Sequence, residues 1–200
     1  MKGIFVSSLF VLGLSFSSLI GAPTVAPVQP AVPNAAPNIS QEAAKNWKQF
    51  DSTEGKCSMH FPMQPEHVSE KMKAADGAYE LKYDAYISSA DKKTVFMLLV
   101  AQYPNFVNES YAHMSLEGFL NGILSHNPAN QLIFADLVLF EGHEALDFFI
   151  RTGNVYFKGR AMMVKNSLYL MAMECEMQTY NETNYNYFIN SFKLVKAATP

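Results

Sequence analysis

The sequence predicts an α+β fold, a mostly antiparallel β-sheet flanked by helices in an α/β/α sandwich. Three observations predict it. From residue 57 to residue 175 apolar or alternating runs of strand length recur, several of them joined by short Gly or Asn turns such as Glu141-Gly142 and Asn166-Ser167. One segment in the middle, Tyr111 to His126, switches to helical spacing with Met114, Phe119, Ile123 and Leu124, and Pro128 follows it. A second helical segment, ETNYNYFINSF at 182–192, closes the pattern with Tyr185, Phe188, Ile189 and Phe192 on one face.

Taken in order, the chain opens with Lys2 and an apolar stretch from Ile4 to about Leu14, then a Ser/Gly/Ala-rich exit ending at Ala22. That order of charge, apolar run and small residues is the pattern of an export signal, so residues 1–22 are read as a signal peptide and the protein as exported, periplasmic or secreted, from a bacterium. Serines interrupt the run and no basic stop-transfer cluster follows, so no stable membrane insertion is expected after cleavage; retention as an N-terminal anchor is the alternative. Residues 23–39 carry prolines at 23, 27, 30, 33 and 37, a spacing that forbids helix and favours an extended linker. Residues 40–200 are long enough for one domain with a real core.

Within that domain, Ser40 to Trp47 is read as a short helix capped by Ser40. KCSMHFP alternates Cys57, Met59 and Phe61 against Ser58 and His60, and Pro62 ends the strand. AYELKYDAYI (78–87) and TVFMLLVAQY (94–103) are longer strands, the second apolar enough to be central. After the middle helix come QLIFADLVLF (131–140), HEALDFFIRTG (143–153), VYFKGRAMMV (155–164) and SLYLMAMEC (167–175).

The chain has 15 Lys+Arg against 18 Asp+Glu, a net charge of −3. No basic stripe with interleaved aromatics is present, which disfavours nucleic-acid binding, and Arg151 and Arg160 are the only arginines that could grip an anion bidentately. Cys57 and Cys175 share the parity of their strands' large apolar residues. In an exported protein they are a candidate disulfide, and two separate buried thiols are the alternative.

Catalytic and metal signatures are weak throughout. His143-Glu144-x-x-Asp147 has the look of a zinc-protease motif, but on a strand residues 143 and 147 stand ~13 Å apart, too far for one ion. His60 and His67 straddle Pro62 and Pro65 and are read as lying in a solvated loop; His113 and His126 flank the middle helix and cannot meet through it. No G-x-S-x-G elbow occurs. No catalytic residue, metal or cofactor is assigned. The sequons at Asn38, Asn108 and Asn181 matter only in a eukaryotic secretory pathway.

The opening strand ending in Phe-Pro, the long middle helix, the apolar strand with its Glu141-Gly142-His143 turn, the strand around Tyr169 and the terminal YFINSFKLV resemble the PsbP-like family. That family includes the extrinsic photosystem II subunit, a Ran-binding factor of the same fold and many exported bacterial proteins. The resemblance covers about residues 47–195 and implies an antiparallel sheet flanked by helices with a non-enzymatic binding or assembly role. It carries over no site residues, because the family shares no catalytic motif.

The expected function is therefore an exported binding module that contacts a protein partner, with Tyr180, Tyr185 and Tyr187 as the candidate interaction surface. Met162, Met163, Met171, Met173 and Met177 are read first as core filler beneath the closing helix. A small-molecule or lipid carrier with a Met/aromatic-lined cavity is the alternative function, and an enzyme of unrecognised type the second.

Overall fold

A computed structural model of the protein describes residues 46–73 and 80–195. The expected export signal, the expected proline-rich linker and most of the expected helix at 40–47 lie outside those residues. The described elements are β1 (Lys48–Ser52), β2 (Cys57–Phe61), β3 (Glu66–Lys73), β4 (Glu80–Asp91), β5 (Thr94–Gln102), α1 (Ala112–His126), β6 (Asn130–Phe140), β7 (His143–Thr152), β8 (Val155–Val164), β9 (Ser167–Glu176), α2 (Glu182–Asn190) and β10 (Lys193–Leu194). Every expected strand and both later helices are present, and the architecture is α+β with a mostly antiparallel sheet.

The main sheet has seven strands in the order β3-β4-β5-β9-β8-β7-β6, and every neighbouring pair is antiparallel. A second sheet, β1-β2-β10, lies beside it. Two-residue connections set the registers of the right-hand half. Glu141 and Gly142 both have positive φ, 51° and 84°, which suits the tight hairpin turn whose twist matches its strands. At Gly142 glycine supplies that conformation without steric cost.

Both faces of the central strands are buried, so each strand feeds two cores. On one face Leu168, Leu170 and Ala172 of β9 join Leu146, Phe148 and Ile150 of β7 and meet Leu116, Phe119, Leu120 and Ile123 of α1. On the other, Tyr169, Met171, Met173 and Cys175 of β9 join Phe96, Leu98 and Val100 of β5. They are covered by Cys57, Met59 and Phe61 of β2, by Tyr185, Phe188 and Ile189 of α2, and by Phe192. Rings dominate this second core: Phe96 lies 4.9 Å from Trp47 and 5.0 Å from Phe188, and Phe61 lies 5.4 Å from Phe188. Each such pair is worth about 0.5–1.5 kcal/mol beyond its buried area. The small sheet is pinned by polar contacts as well. Tyr169 donates to Gly55 O at 2.8 Å, Ser52 Oγ to the Tyr86 hydroxyl at 2.9 Å, and His60 N to Ser191 Oγ at 2.9 Å.

Three strands escape sequence reading. β1 shows only Phe50 and Ser52 to the interior side, and β10 is two residues long. β3, EHVSEKMK, is an edge strand whose pattern is mostly polar, so the expected solvated loop around His67 is instead the start of this strand, with His67 opposite Tyr86. Between β2 and β3 only residues Pro62 to Pro65 lie outside the strands. Asn108 and Asn181, noted as sequons, serve as N-caps, accepting from Ser110 N and Asn184 N.

The Cys57–Cys175 bridge is not formed; both thiols are free and buried. The reason is where the strands place them. Cys57 sits beside Gly55 and Val100, since a methyl at Gly55 would lie 3.0 Å from Val100 Cγ2 and 3.2 Å from Cys57 Sγ. Val100 pairs with Tyr169, whereas Cys175 pairs with Thr94 at the other end of the same ladder. Six residues of strand separate the two places, ~20 Å, against the ~7 Å that bridging allows. Burial pushes the Cys57 thiol up to about 12 and the Cys175 thiol to about 11.

Two expectations follow. In denaturant without reductant the protein should release two thiols to a colorimetric thiol reagent, whereas the native protein should react slowly; a single fast-reacting thiol would contradict the packing. Gly159 lies between Phe148 and Ala172 in register, and a methyl there would sit 2.7 Å from Phe148 Cζ and 2.9 Å from the Met171 carbonyl. Gly159→Ala should therefore cost about 1–3 kcal/mol, read as a lower denaturant midpoint.

Candidate interaction surface

The three tyrosines of the expected surface do not form one. Tyr185 is buried in the α2-side core, and burial pushes its phenol well above the ordinary range. Tyr180 stacks on Phe149 at 5.4 Å and reaches Lys158. Tyr187 lies on the other flank of α2, stacked on His60 at 5.6 Å and edge-on to Trp47 at 5.4 Å. Helical spacing explains the split: residues two apart point about 200° apart around a helix, so Tyr185 and Tyr187 leave α2 in nearly opposite directions.

What Tyr180 and Tyr185 do share is Lys158. Its ammonium, on a residue 8% exposed, donates to both Glu182 oxygens at 2.8 and 2.9 Å and to the Tyr180 hydroxyl at 2.9 Å. Tyr180 also donates to Glu182. Four rings surround the ammonium: Tyr185 at 4.5 Å, Phe149 at 5.1 Å, Tyr180 at 5.6 Å and Phe134 at 5.8 Å. Two residues along β8, Arg160 makes a bidentate pair with Asp147 at 2.5 and 2.7 Å and lies 4.4 Å above the Phe140 ring. Burial would lower the Arg160 pKa, but the Asp147 bonds and charge hold it above its ordinary value. Arg160 is thus satisfied inside the chain, and Arg151 donates to Gly153 O.

Four of the five clustered methionines are used in packing, and Met177 is half-buried after β9. Met162, Met171 and Met173 lie under α2, and Met163 is in the α1-side core, all between 0 and 1% exposed. The histidines likewise fall into separate places. His67 stacks on Tyr86 and bonds Asp84, His113 bonds Glu144 and Glu117, and His143 lies 3.3 Å from Glu109. Residues 143 and 147 are on β7, as the strand reading requires, with Asp147 committed to Arg160. Among the described residues no group of three His, Cys, Asp or Glu is placed to hold a metal ion, and no helix is long and apolar enough to cross a membrane.

The surface that does stand out lies at the sheet's edge. β6, NQLIFADLVLF, is the outermost strand beyond β7. Leu132, Ile133, Leu137 and Leu139 are exposed on it, Leu139 by 83%. It has one charge, Asp136, and no proline or lysine. The opposite edge, β3, presents Glu66, Glu70, Lys71 and Lys73. Charged edges discourage strand addition, and a long apolar edge invites it. The composition of 131–140 was readable as a strand, but its edge position was not, since the same run would suit a central strand.

Glu174 on β9 pairs in register with Val95 and Phe157, its side chain makes no hydrogen bond or ion pair among the described residues, and burial pushes its carboxyl from 4.5 up to about 7.

Against known proteins, the chain matches no protein-family model and no curated protein. Solved structures place it by shape: the fold is of the PsbP-like α+β class. The chain is similar to the solution structure of cyanobacterial PsbP (CyanoP) from Synechocystis sp. PCC 6803, with a TM-score of 0.53 and 9% identity over 74% of this chain and 92% of that one. At that identity the likeness is one of fold. Fainter likenesses link it to a crystal structure from Bacteroides thetaiotaomicron VPI-5482 (TM-score 0.38, 12% identity, 77% of this chain and 50% of that one) and to protein PA94 of unknown function from Pseudomonas aeruginosa (TM-score 0.32, 12% identity, 66% and 83%).

A pH dependence follows from Glu174. Its folded pKa exceeds its unfolded one, so the native state holds the proton more tightly and stability falls as pH rises from about 4.5 to about 7, then levels off. The loss is up to about 3 kcal/mol. Glu174→Gln should flatten that part of the stability profile and raise stability at pH 8, measured by urea denaturation at several pH values; an unchanged slope would contradict the assignment.

Proposed function

We propose that this chain is an exported, non-enzymatic binding module that engages a protein partner along the β6 side of its sheet. The observation that carries the reading is the contrast between the two edges: β3 is guarded by charge, whereas β6 exposes four large aliphatic side chains in a strand with a single acid. Edge addition supplies main-chain hydrogen bonds for affinity and side-chain positions for selectivity. The likeness in fold to CyanoP supports the reading only as a shape that accommodates such a role. The charged, apolar and small-residue order of the first 22 residues supports export.

The reading replaces the tyrosine surface with another, because Tyr185 is inside the fold and Tyr180 belongs to the Lys158 cluster. The two strong cation sites are likewise satisfied within the chain. Neither a catalytic pair nor a Met-lined cavity is needed for this function.

Site-specific photo-crosslinking tests it. A photoreactive side chain at Leu139, in the full chain expressed and exported by its native host, should give a discrete protein adduct, and the same group at Lys71 on β3 should not. Leu139→Lys should reduce crosslinking from a probe placed at Leu137 about tenfold or more, the effect of setting a charge in an apolar contact. Equal adducts from both edges, or none from β6, would overturn the proposal.

A further inference from the structure

Resting on the reading of β6 as the contact surface, we propose that its partner is a second copy of this chain. The stretch Phe134 to Phe140 pairs antiparallel with the same stretch of the other copy about a two-fold axis at Leu137.

The backbone sets up the pairing. The two-residue turn Glu141-Gly142 closes on Phe140 and His143, so the even-numbered residues of β6 exchange hydrogen bonds with β7. The odd-numbered residues Ala135, Leu137 and Leu139 then turn their N–H and C=O groups outward. A strand that approaches in register finds those groups waiting, and one that is itself β6 offers the same set in return. Below Phe134 the ladder is interrupted by the bulge between Leu132 and Phe134, so the regular edge runs only from Phe134 to Phe140. Leu137 is the midpoint of that run.

Side-chain chemistry selects the same register. With the axis at Leu137, Leu137 meets its own copy, Ala135 meets Leu139, Phe134 meets Phe140, and Asp136 meets Val138. Large faces small, ring faces ring, and the strand's single acid never faces its twin. An axis one residue lower sets two Asp136 carboxylates opposite each other, which is unfavourable. An axis at Ala135 runs the ladder into the bulge at Ile133, and one at Val138 leaves Phe134 and Ala135 unpaired. The Leu137 register also covers Leu139, the most exposed of the large apolar side chains on the edge. With the axis perpendicular to the sheet, both α1 helices stay on one face, and the two sheets continue as one.

The other occupant that the sequence itself offers is the proline-rich stretch of residues 23–39. Its five prolines recur every three or four residues, and each removes a main-chain donor from a would-be ladder. A second β6 has no such defect.

Sedimentation velocity on the full exported chain, with variants that each add one cysteine run alongside, tests the proposal. A dimer is expected at micromolar loading, and Leu137→Lys should raise its dissociation constant tenfold or more, roughly 1.4 kcal/mol, by opposing two like charges at the axis. Under mild oxidation Leu137→Cys should form a covalent dimer, because hydrogen-bonded partners stand about 5.5 Å apart at Cα. Leu139→Cys should not, since its two copies are offset by four residues, ~13 Å along the strand. The buried Cys57 and Cys175 make the wild-type chain the blank.

A monomer at all loadings, a dimer indifferent to Leu137→Lys, or bridging at 139 rather than 137 would overturn the proposal. If the chain is monomeric and a photoreactive group at Leu139 still captures a different protein, the second copy is refuted while β6 remains the binding edge. If that group captures nothing, both readings fall together.

Discussion

Strand β9 has no solvent side, and the rest of the domain is arranged around that fact. Its odd-numbered residues from Tyr169 to Cys175 belong to the core beneath α2 and the small sheet, and Leu168, Leu170 and Ala172 belong to the core beneath α1. Because strand side chains alternate with period two, a slip of one residue would exchange these sets between cores of different shape. β5 and β8 on either side are held to the same register by unbroken antiparallel ladders. Two cores of this kind need two covers. α1 supplies one, and α2 with β1-β2-β10 supplies the other.

The second cover is narrow, which explains the charges within it. α2 has only nine residues and packs on β9 and β2, so the sheet face from β8 to β6 extends past it. There the sequence places Lys158 and Arg160 on β8 and answers them with Glu182 and Asp147. Partly buried ion pairs roughly offset their own desolvation, so their main consequence is geometric. Glu182 is in the first turn of α2, where a carboxylate also suits the helix dipole. Lys158 thereby ties the start of the closing helix to the middle of β8, with its ammonium under the surrounding rings and the Glu182 carboxylate at the half-exposed outer end of the contact.

The two margins of the main sheet are built differently. β3 is short of apolar residues and rich in charge, so it ends the sheet. β6 is apolar on both faces: Ala135 packs on the α1-side core and Val138 and Phe140 on the other, while Leu137 and Leu139 remain exposed. A strand that must contribute inward on both faces has few positions left for guarding charges, and in β6 only Asp136 fills one. The unguarded edge is thus in part a consequence of the double core.

Much of the fold was legible because its signals are local. Apolar runs such as TVFMLLVAQ, the Glu141-Gly142 turn and the spacing of Tyr185, Phe188, Ile189 and Phe192 each depend only on neighbours in sequence. β1, β3 and β10 were not legible, because their residues are ordered by partners far along the chain: Phe61 for Lys48, Tyr86 for His67, Ser58 for Lys193. The site was less legible still. Composition marked the tyrosines, cysteines and methionines, but three-dimensional packing put Tyr185 and four of the methionines inside, divided Tyr180 from Tyr187, and set the cysteines in different sheets, Cys57 on β2 and Cys175 on β9. By itself the sequence determined strand and helix identity and the hairpin turns, all products of short-range periodicity and composition. Strand order, and with it which apolar run became a bare edge and which a buried centre, was decided only in the tertiary structure, because burial is a property of distant neighbours.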